Sequence, residues 1–288
     1  MIIAYPLVIH LGPLTITGFG IMMALAFAVG GWVIDHETRR NGFAPDYVGD
    51  IIVGAVVGGI VGAKLWFVAL PGHGVQDLFE RSGLVWYGGF IGGALGVVLN
   101  GWRRRVPMRW TAQLVAPALA AAYAIGRIGC FVVGDDYGIP STLPWAVAFP
   151  EGAPPTTAEN LRAFHVAIPA SIAPNTILAV HPTQLYEVFL MTIVFAILWR
   201  WRTESRGTGW LFGAYLVLAG IERFAIEFLR AKDDRQPNGF SLAQYASVAV
   251  VIVGIVVATQ LSKRPRTAPG EWLLHGAPEP AARAPKPT

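Results

Sequence analysis

Seven runs of mainly apolar residues follow one another along this chain, at approximately 14–34, 49–70, 84–100, 111–133, 183–201, 210–230 and 242–261. Each is close to the roughly 20 residues that a helix needs to cross about 30 Å of hydrocarbon. Backbone amides find no water inside lipid, and a single segment satisfies them there only as a helix. The runs predict an all-α integral membrane protein with about seven transmembrane helices. Composition agrees, with 54% hydrophobic and 14% charged side chains over 288 residues, outside the range of ordinary soluble domains.

The net charge of +4 does not point to nucleic acid, because the basic residues fall in short blocks between apolar runs and no nucleic-acid motif accompanies them. Fourteen lie in alternate connections: Arg39, Arg40, Arg103, Arg104, Arg105, Arg109, Arg200, Arg202, Arg206, Lys263, Arg264, Arg266, Arg283 and Lys286. Five lie on the other side, Arg81, Arg162, Arg230, Lys232 and Arg235, and three fall within spans, Lys64, Arg127 and Arg223. The positive-inside rule then puts the N-terminus outside and the C-terminus in the cytoplasm. The first residues have neither a basic leader nor a small-residue cleavage site, so the first span is expected to remain in the mature protein.

Within this frame, residues 1–262 read as a seven-helix transmembrane domain. It includes an outer head region at 134–182, with a helix start expected at Thr156 from its spacing to Glu159. Residues 263–288, rich in proline and alanine, read as a disordered cytoplasmic tail in which Trp272, Leu273 and Leu274 are an incidental apolar cluster. Gly58, Gly59 and Gly62 in the second run, with Gly88, Gly89, Gly92 and Gly93 in the third, predict close helix packing rather than a phosphate cradle.

The polar residues inside the spans carry the functional signal. Arg127 stands in a segment otherwise apolar from 114 to 133, at an insertion cost of about 2.5 kcal/mol or more. Lys64, Tyr87, Glu187, Arg223 and Glu227 share its outer half-membrane level. Arg223 and Glu227, four residues apart, are placed to pair on one helix face as simple bundle glue. Two arginines, a lysine and several acids exceed what glue requires, and arginine offers planar paired donors that match phosphate. The pattern suggests recognition of an anionic lipid head group. Phosphate loops, HExxH and GxSxG are absent, which leaves soluble nucleotides and serine nucleophiles without support. One cysteine, Cys130, excludes an intramolecular disulfide and any multi-cysteine metal site. It is either a reactive thiol or an inert buried one.

These residues resemble the prolipoprotein diacylglyceryl transferase family. Its signature, Gly-Arg-x-Gly-Asn-Phe-x-Asn-Gly-Glu followed by a glycine and a later Pro-Trp or Pro-Phe before Phe-Pro, is similar to Gly126, Arg127, Gly129, Phe131, Gly134, Gly138, Pro144, Trp145, Phe149 and Pro150. His181-Pro182-Thr183-Gln184-Leu185-Tyr186-Glu187 and Arg223-Phe224, Glu227, Arg230 are similar to two further family motifs, and weaker agreement extends from about 5 to 260.

The resemblance implies transfer of diacylglycerol from phosphatidylglycerol to the lipobox cysteine of a prolipoprotein signal peptide, in a bacterial inner membrane, without metal or organic cofactor. It implies Arg127, Arg223 and Tyr87 as catalytic positions. Arg127, Arg223, Glu227, Glu187, Gly129, Gly138, Asp135, His181 and Lys64 are the implied substrate-binding positions, with the two glutamates orienting the arginines. Departures from the family pattern are Tyr87 for a histidine, Cys130 and Val133 for asparagines, Asp135 for glutamate, Phe19 for tyrosine, Lys64 for arginine and Gln113 for aspartate. Two readings stay open: an active transferase, and a noncatalytic membrane protein that binds lipid or handles lipoproteins through the same pocket. A transporter has less support, since neither paired broken helices nor internal symmetry is present.

Overall fold

A computed structural model describes residues 2–12, 14–70, 74, 76, 85–232 and 239–276. Arg81, Arg235, Arg283 and Lys286, used above to orient the chain, lie outside the described residues. The chain is mostly helical. Its long helices are α1 (Gly18–Arg40), α2 (Asp46–Val68), α3 (Trp86–Arg103) and α4 (Met108–Val133), then, after the short α5 (Ala158–Ala163), α6 (Thr183–Trp201), α7 (Trp210–Ile226) and α8 (Leu242–Ser262). Five of them, α1, α2, α4, α6 and α8, are long and apolar enough to cross a membrane. The third and sixth runs form the shorter α3 and α7, of 18 and 17 residues.

Two boundaries differ from the sequence expectation for local reasons. Leu14–Thr17 does not open the first helix but forms a strand, β3, antiparallel to β2 (Val8–Leu11) and paired from Val8↔Thr17 to Leu11↔Leu14. Its three consecutive β-branched residues, Thr15, Ile16 and Thr17, suit a strand, and Gly12 turns the chain at φ +60°. At its other end α1 continues past the apolar run to Arg40. The extra turns carry Arg39–Asp35 and Arg40–Glu37 ion pairs, each at 2.8 Å and at helical spacing.

The chain divides into two compact units, one of Met1–Gly30 and Val115–Pro265, the other of Gly31–Leu114 and Arg266–Thr288. In the second, α2 and α3 meet along facing glycines. A Cβ on Gly58 would strike the Gly92 carbonyl, one on Gly62 that of Gly88, and one on Gly96 that of Gly54. The backbones therefore touch, as the glycine spacing predicts. Arg104 grips Asp50 with two hydrogen bonds, at 2.8 and 3.2 Å, and the Tyr47 and Thr111 hydroxyls share one at 2.7 Å.

The C-terminal stretch is a correction. Residues 266–276, expected to be disordered, include a helical turn, α9 (Glu271–His275), within this second unit. Leu273 is fully buried, Trp272 stacks on the Arg104 guanidinium at 3.9 Å, and the Trp110 indole donates to the Thr267 carbonyl at 2.9 Å. Proline and alanine content hid two side chains, Trp272 and Leu273, and one carbonyl, that of Thr267, with partners in the fold.

The first unit holds two apolar clusters. One joins α4, α6 and α7 through Ala116, Ala120, Ala124, Met191, Leu198, Trp210 and Leu211. The other, built on Tyr137, Val147, Phe149, Leu161 and Val180, fills the segment between α4 and α6. There β1 (Ile2–Ile3) pairs in parallel with β4 (Val147–Ala148). The α5 N-cap is Thr157, whose hydroxyl accepts from the Asn160 amide, and not Thr156. Thr156 instead accepts from the Phe149 amide, which draws it into the core.

Candidate functional site

Helix α4 ends where the Gly134 and Asp135 amides fold back onto the Cys130 carbonyl, with Gly134 at φ +73°. Asp136 follows at φ 55°, a left-handed conformation that aspartate tolerates better than most side chains. The start of α6 fixes this turn. The Gln184 side-chain Nε2 donates to the Asp135 carbonyl at 2.5 Å and the Thr183 hydroxyl to that of Asp136 at 2.9 Å.

Gly138 then lies between two other segments. Its amide donates to the His181 carbonyl at 2.9 Å, and a Cβ there would fall 2.5–2.8 Å from Leu229 O, His181 Cβ and Thr183 Cγ2. Only glycine lets the chain after α4, the start of α6 and the end of α7 close on one another. Gly129 has a different neighbour: its Cβ would meet Met22 and Phe19 of α1 at 3.1 and 3.3 Å.

On this frame six charged side chains alternate in sign. Glu187 of α6 pairs with the Arg127 Nε. Arg127 Nη1 reaches Asp136 at 2.9 Å, and the other Asp136 oxygen receives Arg230 at 2.5 Å. Arg230 lies 3.8 Å from Glu227, which pairs with Arg223 at 2.5 Å. Three arginines and three acids thus form one chain across α4, the turn after it, α6, and α7 with the 3₁₀ turn Glu227–Leu229 that continues it.

The chain leaves donor capacity in hand. Arg127 Nη2 is buried without a hydrogen-bond partner among the described residues, while Nη1 also points at Cys130 Sγ, 3.4 Å away. Burial raises the pKa of Asp136, but Arg230 and Arg127, by charge and hydrogen bonds, outweigh it and hold the carboxyl below its ordinary range. For Asp135 burial and the neighbouring Asp136 charge win, and its pKa is raised. Cys130, Asp135 and Asp136 offer three ligand atoms within 4.8 Å of one another. Two guanidinium groups already neutralise Asp136, so a metal ion would have to compete with them.

Of the residues singled out in the sequence, Arg127, Arg223, Glu187 and Glu227 meet in this chain, with Gly138 and His181 in the backbone frame. His181 Nδ1 lies 3.2 Å from the Tyr186 hydroxyl, and burial lowers its pKa. Two positions differ. The ion-pairing acid is Asp136, not Asp135, whose carbonyl is what the frame uses. Arg230, counted above as an outer loop charge, is a full member. Lys64 and Tyr87 belong to the second unit. Lys64 is half-buried with Nζ 5.9 Å from the Phe67 ring, and Tyr87 is exposed beside Trp66, ring centroids 6.5 Å apart. The sequence reading missed Asp136 and the buried Glu222, and named Arg230 in a motif without giving it a place in the site. Glu222 had a usable signal: it and Arg223 are the only charges in α7.

Comparison with known proteins gives the same family as the motifs. The family model for prolipoprotein diacylglyceryl transferase matches residues 6–260. The phosphatidylglycerol–prolipoprotein diacylglyceryl transferase of Clostridium tetani is 30% identical over 258 residues, covering 88% of this chain and 96% of that protein. The protein of the same name from Nitratidesulfovibrio vulgaris is 31% identical over 296 residues, covering 96% and 97%, and that of Paraburkholderia phymatum 30% over 280, covering 88% and 91%. Because the match runs through every segment that builds the arginine chain and nearly the full length of these relatives, this chain belongs to the prolipoprotein diacylglyceryl transferase family.

Proposed function

We propose that this protein transfers the diacylglyceryl group of phosphatidylglycerol to the lipobox cysteine thiol of prolipoproteins, releasing glycerol phosphate. The observation that carries the reading is the buried Arg127 Nη2, a donor without a partner in a set of three otherwise paired arginines. A lipid phosphodiester supplies the acceptor that such a donor lacks. Family membership supplies the reaction, and the relatives' names supply both substrates.

In this reading Arg127 and Arg223 grip the phosphate, and their charge stabilises the negative charge that grows on the leaving oxygen. Glu187 and Asp136 fix Arg127, while Glu227 fixes Arg223 and Arg230. Asp135, His181, Gly129 and Gly138 shape the surrounding turn. All seven long helices cross the bacterial inner membrane, with the N-terminus and the 134–182 head region outside and the C-terminus in the cytoplasm. The thiol acceptor enters from the outer leaflet, where signal-peptide lipoboxes lie after export.

The test uses the full chain reconstituted with phosphatidylglycerol and a lipobox peptide, followed by the mass of the peptide. Wild type is expected to add one diacylglyceryl group. Arg127→Lys and Arg223→Lys are expected to lose about a hundredfold in rate, since a point charge cannot make two parallel bonds to phosphate. Phosphatidylglycerol binding with no peptide modification by wild type would overturn the transferase reading in favour of a noncatalytic lipid-binding protein.

A further inference from the structure

Two acids near the alternating chain are left out of it, Asp135 in the turn after α4 and Glu222. Glu222 sits in α7 directly before Arg223, only 6% exposed, and its Oε1 has no hydrogen-bond partner among the described residues. Buried polar atoms in native proteins are nearly always bonded, and an exception on a charged group calls for an explanation. Tyr215, seven residues earlier on the same face of α7, and Tyr123, one turn before Arg127 on α4, both interact electrostatically with this carboxylate. So do Arg223, Arg127 and Arg230. All of these lie in one compact unit. Glue would pair its charge. Here the three arginines are already engaged by Glu187, Asp136 and Glu227, and Glu222 keeps an open oxygen; Asp135 keeps one too, but its carboxylate lies within 4.8 Å of the Cys130 sulfur.

We infer that Glu222 is the general base that takes the proton from the acceptor thiol in this protein. The inference rests on the transferase reading. The Glu222 carboxylate accepts the S–H proton, and the thiolate sulfur attacks the glyceryl carbon that bears the phosphate. A C–S bond forms as the C–O bond breaks, with the electron pair leaving on the phosphate oxygen held by the arginines. The proton on Glu222 then passes to the departing glycerol phosphate or to water, which restores the carboxylate. No oxidant or other co-reactant is consumed. This assignment also accounts for a chain of this family that carries Tyr87 where a histidine is usual: the proton acceptor has moved to α7.

The test compares wild type, Glu222→Gln and Glu222→Asp, each as the full chain in lipid nanodiscs containing phosphatidylglycerol. The peptide acceptor carries either cysteine or selenocysteine. With the cysteine peptide, Glu222→Gln is expected to fall about a hundredfold or more in kcat, to lose the acid limb of the pH–rate profile and to keep its affinity for phosphatidylglycerol. Glu222→Asp is expected to recover part of the rate. Selenocysteine, already ionised at neutral pH, needs no base, so the Glu222→Gln deficit is expected to shrink to a few-fold. Wild-type turnover with an unchanged Glu222→Gln rate, or an equal Glu222→Gln deficit with both peptides, overturns the base assignment and leaves the transferase reading standing. A wild-type protein that binds lipid and modifies neither peptide overturns the transferase reading itself, and the base assignment with it.

Discussion

The Arg127 guanidinium on α4 and the Glu187 carboxylate on α6 form an ion pair shielded from water on both sides, with 11% and 0% side-chain exposure. Removing one partner of such a pair strands the other charge, at about 3–5 kcal/mol, whereas removing both does not. Arg127→Ala, which leaves the fully buried Glu187 carboxylate without its cation, is therefore expected to destabilise the protein by about 3–5 kcal/mol in detergent denaturation, and Glu187→Ala by less, because Arg127 keeps Asp136. The Arg127→Ala, Glu187→Ala double variant is expected to lose less than the two single losses added together, with a coupling of about 0.5–3 kcal/mol. Additive losses would show that the two side chains do not depend on each other.

Asp136 ties the site to acidity. Its folded pKa lies below the ordinary value of about 4, so its contribution is fully present above that value and lost as pH falls through the lower, folded pKa. Thermal denaturation of wild type and Asp136→Asn across pH checks the sign. Wild type is expected to be the more stable at neutral pH, and the gap to close only in the strongly acidic range. A gap that widens on acidification would contradict the pairing of Asp136 with Arg127 and Arg230.

How much of this was legible in the sequence depends on the kind of signal each residue leaves. The long helices were readable because a bilayer demands length and apolarity together, which five of them meet, and α2 with α3 because glycines three and four apart leave a smooth face. Arg127, Arg223, Glu187 and Glu227 were readable as charges inside apolar runs. Asp136 was not, because it stands in a loop where charge costs little, and only the left-handed turn after α4 swings it between Arg127 and Arg230. The place of Arg230 in the site was lost the same way, one residue past the 3₁₀ turn. The docking of α9 leaves no periodic pattern, since five residues are too few to show one.

That docking can be measured. Leu273 is fully buried in the second unit, and truncating a buried leucine to alanine costs about 2–5 kcal/mol. Leu273→Ala is expected to lie in that range. Trp272→Ala, which loses chiefly the stacking on Arg104, is expected to cost nearer 1 kcal/mol. If deleting 266–288 left the melting temperature unchanged, the segment would not be part of the fold.

Glycines separate fold from chemistry. Gly92 has the Gly58 carbonyl where a Cβ would go, so Gly92→Ala is expected to push α2 and α3 apart and cost about 1–3 kcal/mol. Gly126, beside Arg127, has nothing within 4 Å of its missing Cβ. Gly126→Ala is expected to be neutral or up to about 1 kcal/mol stabilising in thermal denaturation, because alanine is the better helix former. An activity loss in Gly126→Ala with unchanged stability would locate substrate against that face of α4.

Tyr87 gives the sharpest contrast with Glu222. It replaces a histidine of the family pattern, which makes it the natural first suspect for a proton acceptor in this chain. Its surroundings argue otherwise. The side chain is 60% exposed in the first turn of α3, next to Trp66, itself 42% exposed, with ring centroids 6.5 Å apart. Two exposed aromatic rings at adjoining ends of α2 and α3 fit an interfacial belt, whose rings anchor depth through amphipathic contact. A base also needs a fixed geometry and exclusion of water, which exposure on this scale does not provide. Tyr87→Phe is therefore expected to change kcat by no more than a few-fold and to leave the pH–rate profile intact, measured with phosphatidylglycerol and a lipobox peptide. A loss of a hundredfold or more, with a flattened pH profile, would move the proton transfer from α7 to α3.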